Sequence, residues 1–249
     1  MTRLEQARVL VTGASSGIGR AVALRCAAAG ARLVLAGRDE ARLADVAAAT
    51  GGMSVVADLA LPGAAAELAE RAGPVDVLVC CAGAGLAGPF DGTGADGADL
   101  DAFVRLNFTS AVELVRAVLG PMRAAGRGHV VVVSSVAGRL PVRDEVVYGA
   151  TKAAVDHFAA SLRTELAGTG IGVSAVAPAG VDTPFFDRRG TPYRRSTPRL
   201  LRPEQVADAV VAAVERNLPE VVVPRWLRLA YVVRATVPRL YDRLSNRLD

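Results

Sequence analysis

The sequence predicts an α/β chain built on a doubly wound parallel sheet with helices on both faces, and three observations predict it. Short runs rich in Val and Leu alternate with longer helical patterns along the whole chain. The runs lack polar alternation, as strands do when both faces of a sheet are covered. The first run feeds a glycine-rich turn that opens a helix. Regular β-α-β alternation implies right-handed crossovers. A length of 249 residues suits one large domain over residues 1–249, with no repeat and no dividing linker.

Taken in order, strands are expected at Arg8–Thr12, Arg32–Ala36, Met53–Ala57, Val75–Val79, His129–Ser134, Ile171–Val176 and Glu220–Val223. Between them the patterns predict helices at Gly17–Ala29, Asp39–Thr50, Ala64–Ala72, Leu100–Ala124, Tyr148–Gly168 and Pro203–Asn217. Two segments break the rhythm. Residues 183–202 hold Pro184, Gly190, Pro192 and Pro198 among arginines, and read as a loop or short helices after the sixth strand. Residues 224–249 read as two short amphipathic helices broken at Pro238, with Trp226 placed to anchor them.

Composition narrows the function classes. Apolar residues make up 51 % of the chain and aromatics only 4 %, so the core is aliphatic. No uncharged apolar run reaches about 18 residues, which argues against a membrane-spanning helix. Met1-Thr-Arg-Leu-Glu lacks an apolar leader core, and the sequence predicts a cytoplasmic chain. Cys26, Cys80 and Cys81 have no metal-ligand or C-x-x-C spacing and read as small apolar residues. With only His129 and His157 besides, no metal site is expected. Net charge is +4 and uneven: residues 1–184 carry 16 basic and 18 acidic side chains, residues 185–249 carry 13 Arg and 7 acids. The basic side chains are 28 Arg and one Lys, Lys152. A position that tolerates only a compact ammonium would resist replacement by arginine.

The chemistry-bearing residues follow the strand ends. Thr12-Gly13-Ala-Ser15-Ser16-Gly17-Ile18-Gly19 joins the first strand to the first helix. Its glycines permit a tight turn whose N–H groups meet a pyrophosphate at a helix N-terminus. Gly13-Ala-Ser-Ser-Gly17 also fits a hydrolase nucleophile elbow. It follows the first strand, however, and no oxyanion segment of the His-Gly-Gly-Gly kind is visible. The second strand ends at Gly37 with Arg38 next, where an acid would hold the ribose 2′-OH of NAD. An arginine there favours the 2′-phosphate of NADP, with Asp39 read as the cap of the next helix. Tyr148 and Lys152 stand at i and i+4 on one helix face, and Ser135 follows a strand end. A tyrosine of pKa near 10 is a poor base at pH 7. An ammonium about 4 Å away contributes about 4 kcal/mol at an effective dielectric of 20, or about 3 pKa units, enough to bring the phenol towards neutrality. Such a Tyr exchanges protons with a carbonyl or alcohol, with Ser135 holding the substrate oxygen.

With Asp58-Leu59, Ala82-Gly83, Asn107, Ser135 thirteen residues before Tyr148, Lys152 and Pro178…Val181-Asp-Thr183, the sequence resembles the short-chain dehydrogenase/reductase family over about residues 7–223. The resemblance implies a Rossmann-type fold with strand order 3-2-1-4-5-6-7. It implies an oxidoreductase that transfers a hydride between a nicotinamide cofactor, NADP(H) in preference to NAD(H), and a ketone or secondary alcohol. Tyr148 is then the general acid/base, Lys152 tunes it, Ser135 orients the substrate, and Asn107 holds a water in the proton relay. Ser15, Ser16, Ile18 and the three glycines of the turn, with Cys81 and Gly83, fall at the cofactor. Asp58 falls at the adenine edge with Leu59 beside it, and Val181 and Thr183 meet the carboxamide. Residues 183–202 become the substrate loop, where Leu140, Val142, Phe185 and Phe186 point to an apolar or acyl-linked substrate. The family also implies a homodimer or homotetramer, and nothing suggests nucleic acid. Departures from its pattern are Cys80-Cys81 in place of Asn-Asn, Ala179 in place of Gly, and Ser16 where many NADP-preferring members carry a basic residue. Alternatives from other classes are a dinucleotide sensor of the same fold with little turnover, and a membrane-surface module acting through the basic tail. The tail is also expected to fold back on its own domain, make a subunit contact or close over the cleft.

Overall fold

A computed structural model describes residues 2–90, 99–193 and 198–245. Residues 194–197 of the predicted loop and residues 246–249 of the tail, Arg247 and Leu248 among them, lie outside the described residues.

The chain runs β1 (Arg8–Thr12), α1 (Gly17–Ala28), β2 (Arg32–Gly37), α2 (Glu40–Thr50), β3 (Met53–Val56), α3 (Ala64–Ala72) and β4 (Val77–Cys80). It continues with α4 (Leu100–Val104), a π-helical turn (Arg105–Thr109), α5 (Ser110–Ala125), β5 (Gly128–Val133), a 3₁₀ turn (Val136–Gly138) and α6 (Val146–Glu165). Then come β6 (Ile171–Pro178), α7 (Phe185–Arg188), α8 (Pro203–Arg216), β7 (Glu220–Val223), α9 (Leu227–Thr236) and α10 (Pro238–Ser245). The seven strands form one parallel sheet in the order β3-β2-β1-β4-β5-β6-β7. This is the Rossmann-type arrangement that the sequence implies. The order reverses direction between β1 and β4, where a crevice opens at the strands' carboxyl ends.

Side-chain alternation along the strands feeds two cores. Val9, Val11, Leu33, Leu35, Val77, Val79 and Val131 pack on one face against α1 and α8 through Val22, Cys26, Val206 and Val210. Leu10, Val34, Leu78, Val130, Val132 and Val173 pack on the other against α3, α5 and α6 through Leu68, Leu114, Val118, Val155 and Leu162. Every residue of β4, β5 and β6 is buried, which is why these strands read as unbroken apolar runs.

Several boundaries shift from the expectation. β4 starts at Val77, two residues late, and the Asp76 side chain just before it accepts the Arg8 amide at 2.9 Å. β6 extends to Pro178 through its pairing with β7. α6 opens at Val146, a half-turn before Tyr148. The long helix expected at 100–124 is interrupted by the π turn at 105–109.

The tail forms two helices on either side of Val237 and folds back on the domain. The anchor is Leu227 and not Trp226: Leu227 is buried in the core, while Trp226 is 51 % exposed. α9 places Leu227 inward, and the residue one position earlier points away. Tyr231 lies beneath the Arg139 guanidinium at 5.3 Å, and Arg234 donates to the Arg139 carbonyl at 2.6 Å. Arg139 also pairs with Asp156 of α6 at 3.1 Å and Glu220 of β7 at 2.8 Å, so one arginine joins α6, β7 and α9. No described helix is long and apolar enough to cross a membrane.

Candidate active site

The crevice between β1 and β4 is held by Thr12. Its hydroxyl accepts the amides of Cys81 and Ala82, both at 3.0 Å, and so fixes the end of β4 against the end of β1. These are the bonds that hold the segment where Cys80 and Cys81 stand. Both thiols are pushed up to about 12, with burial the largest cause, which disfavours the thiolate at each. From Thr12 the chain enters the glycine turn. Gly17 has φ +53°, and a Cβ there would come within 3.1 Å of Thr183, so both backbone and space call for glycine. Ser16 occupies the N-cap of α1 without a side-chain cap, and no acid lies in the first turn. The amides at this helix start are thus left without a side-chain acceptor in residues that line the cleft, which fits the pyrophosphate of a dinucleotide.

On the opposite wall, Ser135, Tyr148 and Lys152 meet. Ser135 stands at the N-cap of the 3₁₀ turn after β5, where its hydroxyl accepts the Ala137 amide at 3.1 Å. The same hydroxyl acts on the Tyr148 phenol, favouring its ionised form. Lys152, one helical turn after Tyr148, is 6 % exposed, and its ammonium donates to the Val133 carbonyl at 3.1 Å. The ammonium lies 5.8 Å from the Tyr148 ring centre. Asn107 is buried in the π turn, its side chain accepting from Ala84 at 3.2 Å and donating to Phe103 at 3.1 Å. A Cβ at Gly83 would come within 2.9 Å of Asn107 Oδ1 and 3.4 Å of Lys152 Nζ, so glycine is what lets these groups approach.

The electrostatics correct one expectation. The Tyr148 phenol is shifted up and not down, because burial outweighs the Ser135 hydrogen bond that acts to lower it. Burial likewise lowers Lys152, against the opposing influence of Cys81 and Asp156.

Asp39 caps α2 with one oxygen, accepting the Arg42 amide at 3.0 Å, and pairs with the Arg42 guanidinium through the other at 3.3 Å. Both oxygens are thus engaged within the helix start. Arg38 and Arg42 line the cleft beside them. Asp58 lies at the rim, 3.9 Å from Arg38, with one oxygen accepting the Ala60 amide at 3.1 Å. Leu59 lines the cleft itself.

The segment after β6 closes the far side. Val181 is buried in an isolated bridge to Leu201, and Thr183 packs over Gly17. Phe185 of α7 meets the Tyr148 ring at a centroid distance of 5.5 Å. Buried Arg189 pairs with Glu145 just ahead of α6. The cleft so enclosed measures about 1420 Å³. It brings together Gly13, Ser15, Ser16, Gly17, Ile18, Gly19, Arg38, Leu59, Cys81, Gly83, Asn107, Ser135, Tyr148, Lys152, Val181 and Thr183, and Asp58 alone stands outside the lining. Leu140, Val142, Phe185 and Phe186 line it as well. Sequence reasoning missed Arg42, Glu145, Arg188, Arg189 and Tyr193. It also missed Leu227 and Tyr241, which the tail brings to the same cleft. A helical spacing from Arg38 would have found Arg42; the others depend on how the loop and tail fold.

The short chain dehydrogenase family matches residues 7–193. An uncharacterized oxidoreductase of Mycobacterium tuberculosis is 35 % identical over 251 residues, covering 97 % of this chain and 98 % of the relative. One from Staphylococcus epidermidis is 33 % identical over 220 residues, covering 86 % and 93 %. A short-chain dehydrogenase of Sphingobium yanoikuyae solved with NADPH superposes with a TM-score of 0.81 at 31 % identity, covering 95 % of each chain. One of Burkholderia phymatum solved with NAD reaches 0.85 at 25 % identity, covering 96 % of each. Sheet order, glycine turn and family match together establish the chain as a member of the short-chain dehydrogenase/reductase family, an NAD(P)-dependent oxidoreductase acting on CH–OH groups.

Proposed function

We propose that the protein is an NADP(H)-preferring oxidoreductase acting on a ketone or secondary alcohol with an apolar or acyl-linked body. The observation that carries this reading is that Ser135, Tyr148 and Lys152 share one cleft with the glycine turn. The bound dinucleotide supplies or accepts the hydride, chemistry that no side chain performs. Tyr148 gives its phenolic proton to the carbonyl oxygen in reduction and recovers it in oxidation. Ser135 donates a hydrogen bond to the same oxygen. Lys152 favours the phenolate by its charge, and Asn107 holds a water in the proton relay that runs with Lys152 away from the phenol. Burial keeps the resting phenol protonated, which is the form that carbonyl reduction needs.

Two guanidinium groups, Arg38 and Arg42, at the rim support the NADP preference, as does the engagement of Asp39 within α2. Apolar Leu140, Val142, Phe185 and Phe186 support a greasy substrate. The test is NADPH- and NADP-linked turnover on ketones, acyl thioesters and secondary alcohols. Turnover is expected with at least one class; saturating NADPH binding with turnover on none would overturn the reading. Arg38→Asp should shift preference towards NAD, by loss of a phosphate partner and gain of a like charge. Equal affinity of the parent for both cofactors would refute the preference.

The tail supports a second role. Trp226, Leu229, Val232 and Val237 stay exposed beside Arg225, Arg228 and Arg239, with no acid between 224 and 241. An apolar and cationic face of this kind suits an anionic lipid surface. Sedimentation with anionic vesicles, and not with zwitterionic ones, is the expected result; no binding to either refutes it.

A further inference from the structure

Arg188 is the last residue of α7, and its Nη1 lies 3.3 Å from Ser16 Oγ. Ser16 belongs to the turn whose amides are left without a side-chain acceptor. Among the described residues, Arg188 has no carboxylate partner within 4.0 Å, whereas its neighbour Arg189 is paired with Glu145. An uncompensated guanidinium therefore sits over an anion-seeking helix start, on a wall that faces the same cavity.

We propose that Arg188 is a phosphate-binding residue for the dinucleotide, supplied from the loop after β6. The proposal rests on the NAD(P) reading and adds a residue to it. With cofactor in the cleft, the guanidinium exchanges the neutral Ser16 hydroxyl for a phosphate group, whose oxygens offer charge-assisted and bidentate hydrogen bonding. The same four-residue helix carries Phe185 against the Tyr148 ring. A phosphate held by Arg188 thus also fixes the apolar wall beside the reacting oxygen. Cofactor binding and the shape of the substrate pocket become linked through α7.

The experiment is calorimetric titration of NADPH and NADH into the parent, Arg188→Ala and Arg188→Lys, at two salt concentrations. Arg188 is exposed, so both variants should melt with the parent when free of cofactor. Arg188→Ala should raise the NADPH Kd by about tenfold or more, within the range of a lost hydrogen bond to a charged group. Its affinity should also depend less on salt, and Arg188→Lys should fall between the two. Equal losses for NADPH and NADH assign the contact to the pyrophosphate; a loss confined to NADPH assigns it to the 2′-phosphate. An Arg188→Ala Kd for NADPH within twofold of the parent would overturn the proposal. A parent that binds neither dinucleotide would overturn the cofactor reading along with it.

Discussion

At Tyr148, burial and the Ser135 hydrogen bond pull the phenol in opposite directions, and burial wins. The consequence is a group held as an acid until a partner in the cleft changes its surroundings. Tyr148→Phe removes the proton donor and keeps the ring against Phe185. Turnover should fall by a factor on the order of 10² to 10⁴, while NADPH binding persists. Steady-state kinetics and a binding titration on the same sample check both halves; near-parent turnover would disprove the assignment. Lys152→Arg should also be damaging. The ammonium is buried against the Val133 carbonyl, and a planar guanidinium is larger and binds through a fixed fork.

Among the elements, α9 and α10 carry the clearest stability prediction. Leu227 fills the core, Tyr231 and Arg234 hold Arg139, and Tyr241 reaches the cleft. Burying a leucine contributes about 1.5–3 kcal/mol and a cation–π contact about 0.5–2 kcal/mol. Deleting residues 225–249 should lower the melting temperature on the order of 10 °C, given about 2–4 °C per kcal/mol at this size. Calorimetry of the truncated chain measures it. The strands and the glycine turn were legible beforehand because local apolar runs and glycine spacing encode them directly. The Ser135, Tyr148 and Lys152 set was legible through spacing on one helix and one strand end. The π turn at Asn107 was not, since a one-residue change of helical register leaves no mark on an amphipathic pattern. Nor were Arg188 and Arg189, whose partners lie 172 and 44 residues away in the chain. Trp226 misled because size alone suggested an anchor, whereas helix phase decides which residue turns inward.

For the molecule as a whole, the sheet interior sets the response to acid. His129 of β5 is buried, its Nε2 lying 2.8 Å from Ser174 Oγ, and that hydroxyl donates to the Leu218 carbonyl at 2.5 Å. The serine proton is thus committed, so the imidazole is a neutral Nε2–H donor, with its pKa pushed down to about 4, chiefly by burial. The unfolded chain takes up this proton near pH 6.5, before the folded one does. The contribution of this group is therefore full above about pH 6.5, declines as pH falls, and is lost below about 4, a change of about 3 kcal/mol. Melting temperatures across pH 4–8 test it: His129→Gln, which does not titrate, should flatten the slope over that window.

Lys152 is both the sole lysine and a buried residue in the middle of the protein. A protease that cuts after lysine accordingly has one target bond, Lys152–Ala153, inside a helix packed on the sheet. Cleavage requires that helix to leave the fold, because no frayed end or surface loop offers a substitute site. The chain thus contains its own unfolding reporter: one cut, two products spanning 1–152 and 153–249. Under brief digestion, the fraction cut should track the unfolded population through a denaturant series.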